Sequence, residues 1–174
     1  MLTKTDIEQF FISEKNISLF LMIAGAVTII AAIIFFVFVK TNLYKSIAIP
    51  LLVLGALQLF MGYSAYSKAD KMRIDNVYAF DMNPGKLKTE ELPRMHKMID
   101  GVKLFLYAEI AVLLIGIIVT VMNRQTADAV PTKTLWMGIG IGLMIQAFIF
   151  LCVDAMVLQH AKKYTAGLEK FSSQ

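Results

Sequence analysis

One carboxylate stands out in this sequence because it interrupts a long apolar run. Glu109 is the only charged residue among the twenty at positions 104–123. Twenty apolar residues in a helix cross the hydrocarbon core of a bilayer, which is about 30 Å thick. A carboxylate there is costly unless it is protonated, paired or turned toward other helices. Such a group either changes its charge and binds a proton or cation, or stays neutral and bonds a neighbouring helix.

Three further polar residues interrupt apolar runs and are candidates to meet Glu109. They are Gln58, Gln146 and Asp154. Counted from the basic residue that flanks each run, Gln58 and Gln146 differ from Glu109 by only ~3 Å in depth, and Asp154 lies ~9 Å further toward the other surface. The spacing predicts a polar layer of Gln58, Glu109 and Gln146 within the membrane, with Asp154 below it.

Other kinds of site find little support. The chain has one cysteine, Cys152, and two histidines, His96 and His160. A disulfide needs a second cysteine, and a zinc site needs more ligands than two distant histidines. The glycines at 138–142 lie within an apolar run and open no strand–helix unit, so they do not indicate a nucleotide site. We therefore expect no catalytic residue, metal or cofactor, and predict that the protein is not an enzyme.

The elements that would carry these residues are four apolar segments. The chain is 57% hydrophobic and 17% charged, against about 45–50% and about 25% in soluble domains. The excess lies in four blocks, at about 17–39, 46–67, 104–123 and 135–160. The sequence predicts an all-α membrane protein, an antiparallel bundle of four transmembrane helices forming a single domain over residues 1–174, with the lipid bilayer as its surroundings.

Small residues indicate how these helices pack. In lipid, helices associate through small and polar residues rather than through large apolar ones. Each block carries such residues at near-helical spacing. Examples are Gly25 and Ala32, Gly55 and Gly62, Gly116 and Thr120, and Gly138 and Gly142. We expect these residues to face one another inside the bundle.

The segment at 68–103 is the one long polar stretch between blocks. Asn83-Pro84-Gly85 marks a turn within it, so we predict a helical hairpin standing off the membrane. At the N-terminus, Thr5 and Glu8 have capping-box spacing. The apolar residues beside them favour either a short helix lying in the membrane interface or a frayed polar terminus; these are Leu2, Ile7, Phe10 and Phe11.

Basic residues predict the orientation. The N-terminus, the 67–103 segment and the tail together hold thirteen Lys and Arg, and the two short links on the other side hold four, Lys40 among them. The positive-inside rule then places both termini and the hairpin in the cytoplasm, as in a multi-pass protein of a bacterial inner membrane.

Function follows less directly from the sequence. The hairpin carries more apolar residues than a solvated loop needs, and we predict a partner-binding surface of Met72, Tyr78, Phe80, Met95 and Met98. The first hypothesis is a non-enzymatic membrane protein that acts by binding a partner, as an accessory subunit or as an immunity-type protein against a membrane-acting toxin. Its partner would be another protein or a second copy of the chain, and no nucleic acid. The alternative is a proton-coupled or cation transport protein or channel that uses Glu109.

Overall fold

Four long helices make up almost all of the structure. A computed structural model describes residues 2–39, 41–124 and 130–173, and these contain helices and no strand. The helices are α1 (Lys4–Val37), α2 (Asn42–Met82), the single turn α3 (Pro84–Lys86), α4 (Leu92–Arg124) and α5 (Pro131–Ser172), with a π-helical turn at Leu87–Glu91 joining α3 to α4. Lys40 and most of the link between α4 and α5, at 125–129, lie outside the described residues.

Capping fixes the start of α1. The Asp6 carboxylate accepts hydrogen bonds from the Thr3 backbone N–H at 2.9 Å and from the Thr3 hydroxyl at 2.6 Å. The Asp6 N–H in turn donates to the Thr3 hydroxyl oxygen at 3.2 Å. This is a capping box. It uses Thr3 and Asp6 rather than Thr5 and Glu8, so the predicted box was placed two residues too late.

The helices predicted on the two sides of the Asn83-Pro84-Gly85 turn are confirmed. α2 continues as helix to Met82, well beyond its apolar block, and the chain is helical again from Pro84 to Arg124. Pro84 occupies the first position of α3, where its missing N–H costs no hydrogen bond. The turn predicted at Asn83-Pro84-Gly85 is therefore where the two helices are joined.

The chain divides into two compact units, which are described separately. Unit 1 comprises Met1–Phe20, Gly62–Leu106 and Val153–Gln174. Its core includes Leu2, Ile7, Phe10 and Phe11, all at most 6% exposed, packed with residues of α4 and α5 such as Met95, Ala161 and Leu168. The prediction that the N-terminal apolar residues lie in the membrane interface is therefore wrong, because these side chains fill a protein core.

Unit 2 comprises Leu21–Met61 and Tyr107–Cys152, and glycines set its helix contacts. A Cβ at Gly25 would lie 2.8 Å from the Gly55 carbonyl oxygen, and one at Gly116 would lie 2.9 Å from that of Gly140. A Cβ at Gly138 would lie 2.5 Å from the Cβ of Ser46 and 2.7 Å from the Leu43 carbonyl oxygen, both on α2. Backbones at these distances leave no room for a side chain. The expectation that small residues face one another is confirmed for the pairs α1–α2, α2–α5 and α4–α5.

Large apolar side chains cover the outside of these helices. Ile23, Val27 and Ile30 on α1 are 54–58% exposed, and Ile118 and Val121 on α4 are 56% and 63% exposed. All four long helices are long and apolar enough to cross a membrane. A fully apolar outer face is what lipid requires and what water disfavours.

Candidate functional site

Two fully buried glutamines occupy the interior of unit 2. Gln58 and Gln146 are both 0% exposed. The Gln58 amide oxygen accepts a hydrogen bond from the Thr28 hydroxyl of α1 at 3.5 Å. The Gln146 amide nitrogen donates to the Leu51 carbonyl of α2 at 3.4 Å. Burial of both amides inside the bundle agrees with their predicted inward orientation.

The two glutamines bond to different partners. Gln146 meets α2 at Leu51, and Gln58 lies seven residues further along α2, about 10 Å at 1.5 Å per residue. The Gln58 amide nitrogen and the Gln146 amide oxygen are each buried with no hydrogen-bond partner among the described residues. The two amides therefore do not hydrogen-bond to each other, and the layer of Gln58, Glu109 and Gln146 stays a prediction.

The two predicted carboxylates are half-buried. Glu109 on α4 belongs to unit 2, and its Oε2 atom is shielded from solvent. Asp154 on α5 belongs to unit 1 and is also half-buried. The position of Asp154 below the glutamines stays a prediction.

The five residues predicted to bind a partner have different environments. Met95 is 0% exposed at the centre of the unit 1 core, so its prediction as a surface residue is corrected. Met72, Phe80 and Met98 are partly buried and pack against that core. Tyr78 alone among the five is largely open, at 65% exposed. Apolar residues of the hairpin thus mostly cover one another.

A buried ion pair, which was not predicted from the sequence, lies in the same core. Arg94 donates from Nε to Glu91 Oε2 and from Nη2 to Glu91 Oε1, both at 2.7 Å. The Glu91 side chain is only 5% exposed, whereas that of Arg94 is 33% exposed. Burial acts to lower the pKa of the Arg94 guanidinium, but its hydrogen bonds to Glu91 and the nearby carboxylates raise it above its usual value. The pair is the bidentate kind that holds a fixed geometry.

A second carboxyl and a phenol lie beside this pair. The Oε2 atom of Glu14 is buried and hydrogen-bonds to no other described residue, and the hydroxyl of Tyr164 is buried near Glu91. Burial raises the pKa of the Glu14 carboxyl; the negative charge of Glu91 adds to this effect and the positive charge of Arg94 opposes it. Burial, together with the charge of Glu91, raises the pKa of the Tyr164 hydroxyl. These four residues, Glu14, Glu91, Arg94 and Tyr164, form the buried polar cluster.

A sequence signal for this cluster exists. Leu87, Glu91, Met95 and Ile99 follow one another at intervals of four and are all at most 8% exposed. Four-residue spacing keeps side chains on one face of a helix. A charged residue inside an otherwise apolar stripe indicates a buried charge. Glu91 was missed because many other residues of the hairpin are also charged.

An apolar ridge remains open on α2 of unit 1. Ile74, Tyr78 and Met82 are 61%, 65% and 70% exposed and lie four residues apart, so they share one face of the helix. A groove of about 380 Å³ runs beside the first two and is also lined by Lys4, Glu8, Arg73, Val77 and Asp81. Ile74, Tyr78 and Met82 are called the α2 ridge below.

Among the described residues, no group of three or more His, Cys, Asp or Glu side chains is arranged to hold a metal ion. Comparison with models of known protein families, with curated proteins and with solved structures finds no match.

Proposed function

We propose that this chain is a multi-pass membrane protein that works by binding another protein through the α2 ridge. The observation that carries the proposal is the exposure of Ile74, Tyr78 and Met82 on one helix face. Contiguous exposed apolar side chains mark interaction surfaces. An Ile, a Tyr and a Met at four-residue spacing are the anchors used when one helix packs against another.

Charged neighbours argue that this ridge is not covered by lipid. Asp70, Lys71, Arg73, Asp75 and Asp81 all lie on the same stretch of α2. Five charges within twelve residues would be costly in the hydrocarbon core. The ridge therefore fits an aqueous surface, which in our proposal is the cytoplasmic face of a bacterial inner membrane, with both termini on the same side.

The partner is proposed to be a subunit of a membrane complex or a membrane-acting toxin that this chain neutralises. Both present apolar helix faces, which the α2 ridge would cover. The mixed charges of the groove beside it, two basic and two acidic among Lys4, Arg73, Glu8 and Asp81, suit a polar rim around an apolar centre.

Crosslinking in cells tests this function. A photo-crosslinking amino acid in place of Tyr78 should yield a discrete protein adduct, and the substitution Ile74→Asp should abolish that adduct without lowering the amount of the protein in the membrane. The matched control places the crosslinker at Phe60, which is 70% exposed on the apolar part of α2. Equal adducts from both positions, or an adduct that survives Ile74→Asp, would reject the ridge as the binding surface.

Transport of a proton or cation is the second candidate function. It is favoured by the shielded Oε2 atom of Glu109 in an apolar helix, because burial there makes the charge state of a carboxyl responsive to its surroundings. The test is ion flux into liposomes that contain the wild type or the Glu109→Gln variant. Flux that the variant loses supports transport, and equal or absent flux in both removes it.

A further inference from the structure

The Glu14 carboxyl is surrounded by charges that are already matched to other partners. Arg94, the nearest cation, makes both of its short hydrogen bonds to Glu91. Lys15, the next residue on α1, forms an ion pair with Asp70 of α2. Ionised Glu14 would thus add a negative charge, with a buried oxygen and no dedicated cation, to the core of unit 1.

The groups that α5 presents to Glu14 do not supply a cation either. Tyr164 is 4% exposed and its hydroxyl is buried beside the two carboxylates. His160 lines a small cavity that Glu14 also lines. The ring Nδ1 of His160 is 2.8 Å from the Met156 carbonyl oxygen, so it donates there, and the residue is exposed to solvent.

Glu14 and the exposed His160 line the same cavity. Its volume is about 10 Å³, and its remaining walls are apolar. A space of about this size holds one water molecule. One water between Glu14 and the exposed imidazole would give a proton a path of two hydrogen bonds from the core to solvent.

We propose that Glu14 is a proton-binding site, whose carboxyl is protonated at neutral pH in the folded protein and exchanges its proton through the cavity at His160. The protonated carboxyl removes the unmatched charge and offers a donor to the buried cluster. Burial, which raises the pKa of Glu14, supports the same assignment. The inference concerns the core of unit 1 and does not depend on which partner the α2 ridge binds.

The sign of the pH dependence follows from linkage. In the unfolded chain, Glu14 loses its proton above about pH 4.5, the ordinary pKa of Glu. In the folded protein its pKa is raised, so the carboxyl stays protonated to higher pH. The folded state then binds more protons, so stability falls as the pH rises through this range until Glu14 ionises in the folded state. The Glu14→Gln variant, which mimics the protonated form, should lack this fall.

Infrared spectroscopy of the full-length protein in mild detergent tests the proposal directly. The wild-type spectrum at neutral pH should contain a protonated-carboxyl C=O band that shifts in D2O and is lost in Glu14→Gln. The control is Glu90→Gln, an exposed carboxyl one residue from the buried pair, which should remove only carboxylate intensity. Loss of carboxylate intensity in Glu14→Gln as well would overturn the proposal.

Thermal unfolding provides an independent outcome. The melting temperature of Glu14→Gln should equal that of the wild type near pH 4 and exceed it by an increasing margin as the pH rises, whereas Glu90→Gln should follow the wild type throughout. A Glu14→Gln variant that fails to fold, or that melts below the wild type at pH 8, would contradict the proposal because the neutral side chain would then be the unfavourable one.

Discussion

Removing Arg94 should destabilise the protein more than removing its partner Glu91. The Arg94→Met substitution leaves the carboxylate of Glu91, only 5% exposed, with no cation, next to the half-buried Glu14. Breaking a buried pair in this way costs about 3–5 kcal/mol. Because 33% of the Arg94 side chain is in contact with solvent, which weakens the pair, we expect the low end, about 3 kcal/mol.

The reciprocal variant should be milder. In Glu91→Met, the guanidinium of Arg94 can turn toward solvent, since 33% of its side chain is already exposed. Loss of the Glu91 charge, which raises the pKa of Glu14, also allows Glu14 to ionise beside the guanidinium. We expect a cost of about 1.5–2 kcal/mol, the low end of the range for a hydrogen bond to a charged group, because the exposed part of the guanidinium stays hydrated. The double variant, with both residues replaced by Met, should come within about 1 kcal/mol of the wild type, since well-packed apolar residues replace buried ion pairs at little cost.

Thermal unfolding of the four proteins in the same mild detergent measures these differences. For a chain of this length about 3 kcal/mol corresponds to a fall of roughly 6–12 °C in melting temperature. The predicted order of stability is Arg94→Met lowest, then Glu91→Met, with the double variant close to the wild type. Equal losses in the two single variants, or losses that add in the double variant, would refute the assignment of a buried pair with a second carboxyl beside it.

Further substitutions test the packing of unit 2. Gly142→Val should lower the stability by about 1–3 kcal/mol, because its Cβ would overlap Pro50 Cγ. The control Gly101→Ala has nothing within 4 Å of its Cβ and should instead gain about 0.5–1 kcal/mol from helix propensity. Equal effects of the two substitutions would contradict the close contact. Gln146→Leu should unfold at the same temperature as the wild type or a higher one, because it removes a buried amide oxygen that lacks a partner. A large fall in melting temperature would show that the hydrogen bond from Gln146 to Leu51 stabilises the protein more than burial of the amide destabilises it. Both are measured by thermal unfolding in detergent.

The helices could be predicted from the sequence because their cause is local. Apolar blocks of about twenty residues and the Asn83-Pro84-Gly85 turn report directly on where helices run and stop. The glycine contacts were also accessible, since a small residue such as Gly142 within an apolar helix is typical of a close contact between helices in lipid. The structure agrees in both respects.

The buried polar cluster could not be predicted from the sequence, because its residues meet only in the folded chain. Glu14, Glu91 and Tyr164 come from three separate regions of the chain, and nothing in their separation along the sequence indicates that they meet. The same holds for Phe10 and Tyr164, whose rings stack at 4.2 Å. Apolar residues near the N-terminus satisfy either a membrane interface or a protein core, and only their tertiary partners distinguish the two.

The assignment of unit 2 to lipid and of the α2 ridge to water is tested most directly by spin-label accessibility in nanodiscs. Labels at Ile30→Cys and Tyr78→Cys, each on a Cys152→Ala background, report on an apolar outer face and on the ridge; the two native side chains are 57% and 65% exposed. We predict that oxygen, which concentrates in lipid, relaxes the label at position 30, and that a water-soluble nickel chelate relaxes the label at position 78. Relaxation of both labels by the chelate would contradict a membrane-embedded unit 2, and relaxation of both by oxygen alone would contradict an aqueous ridge.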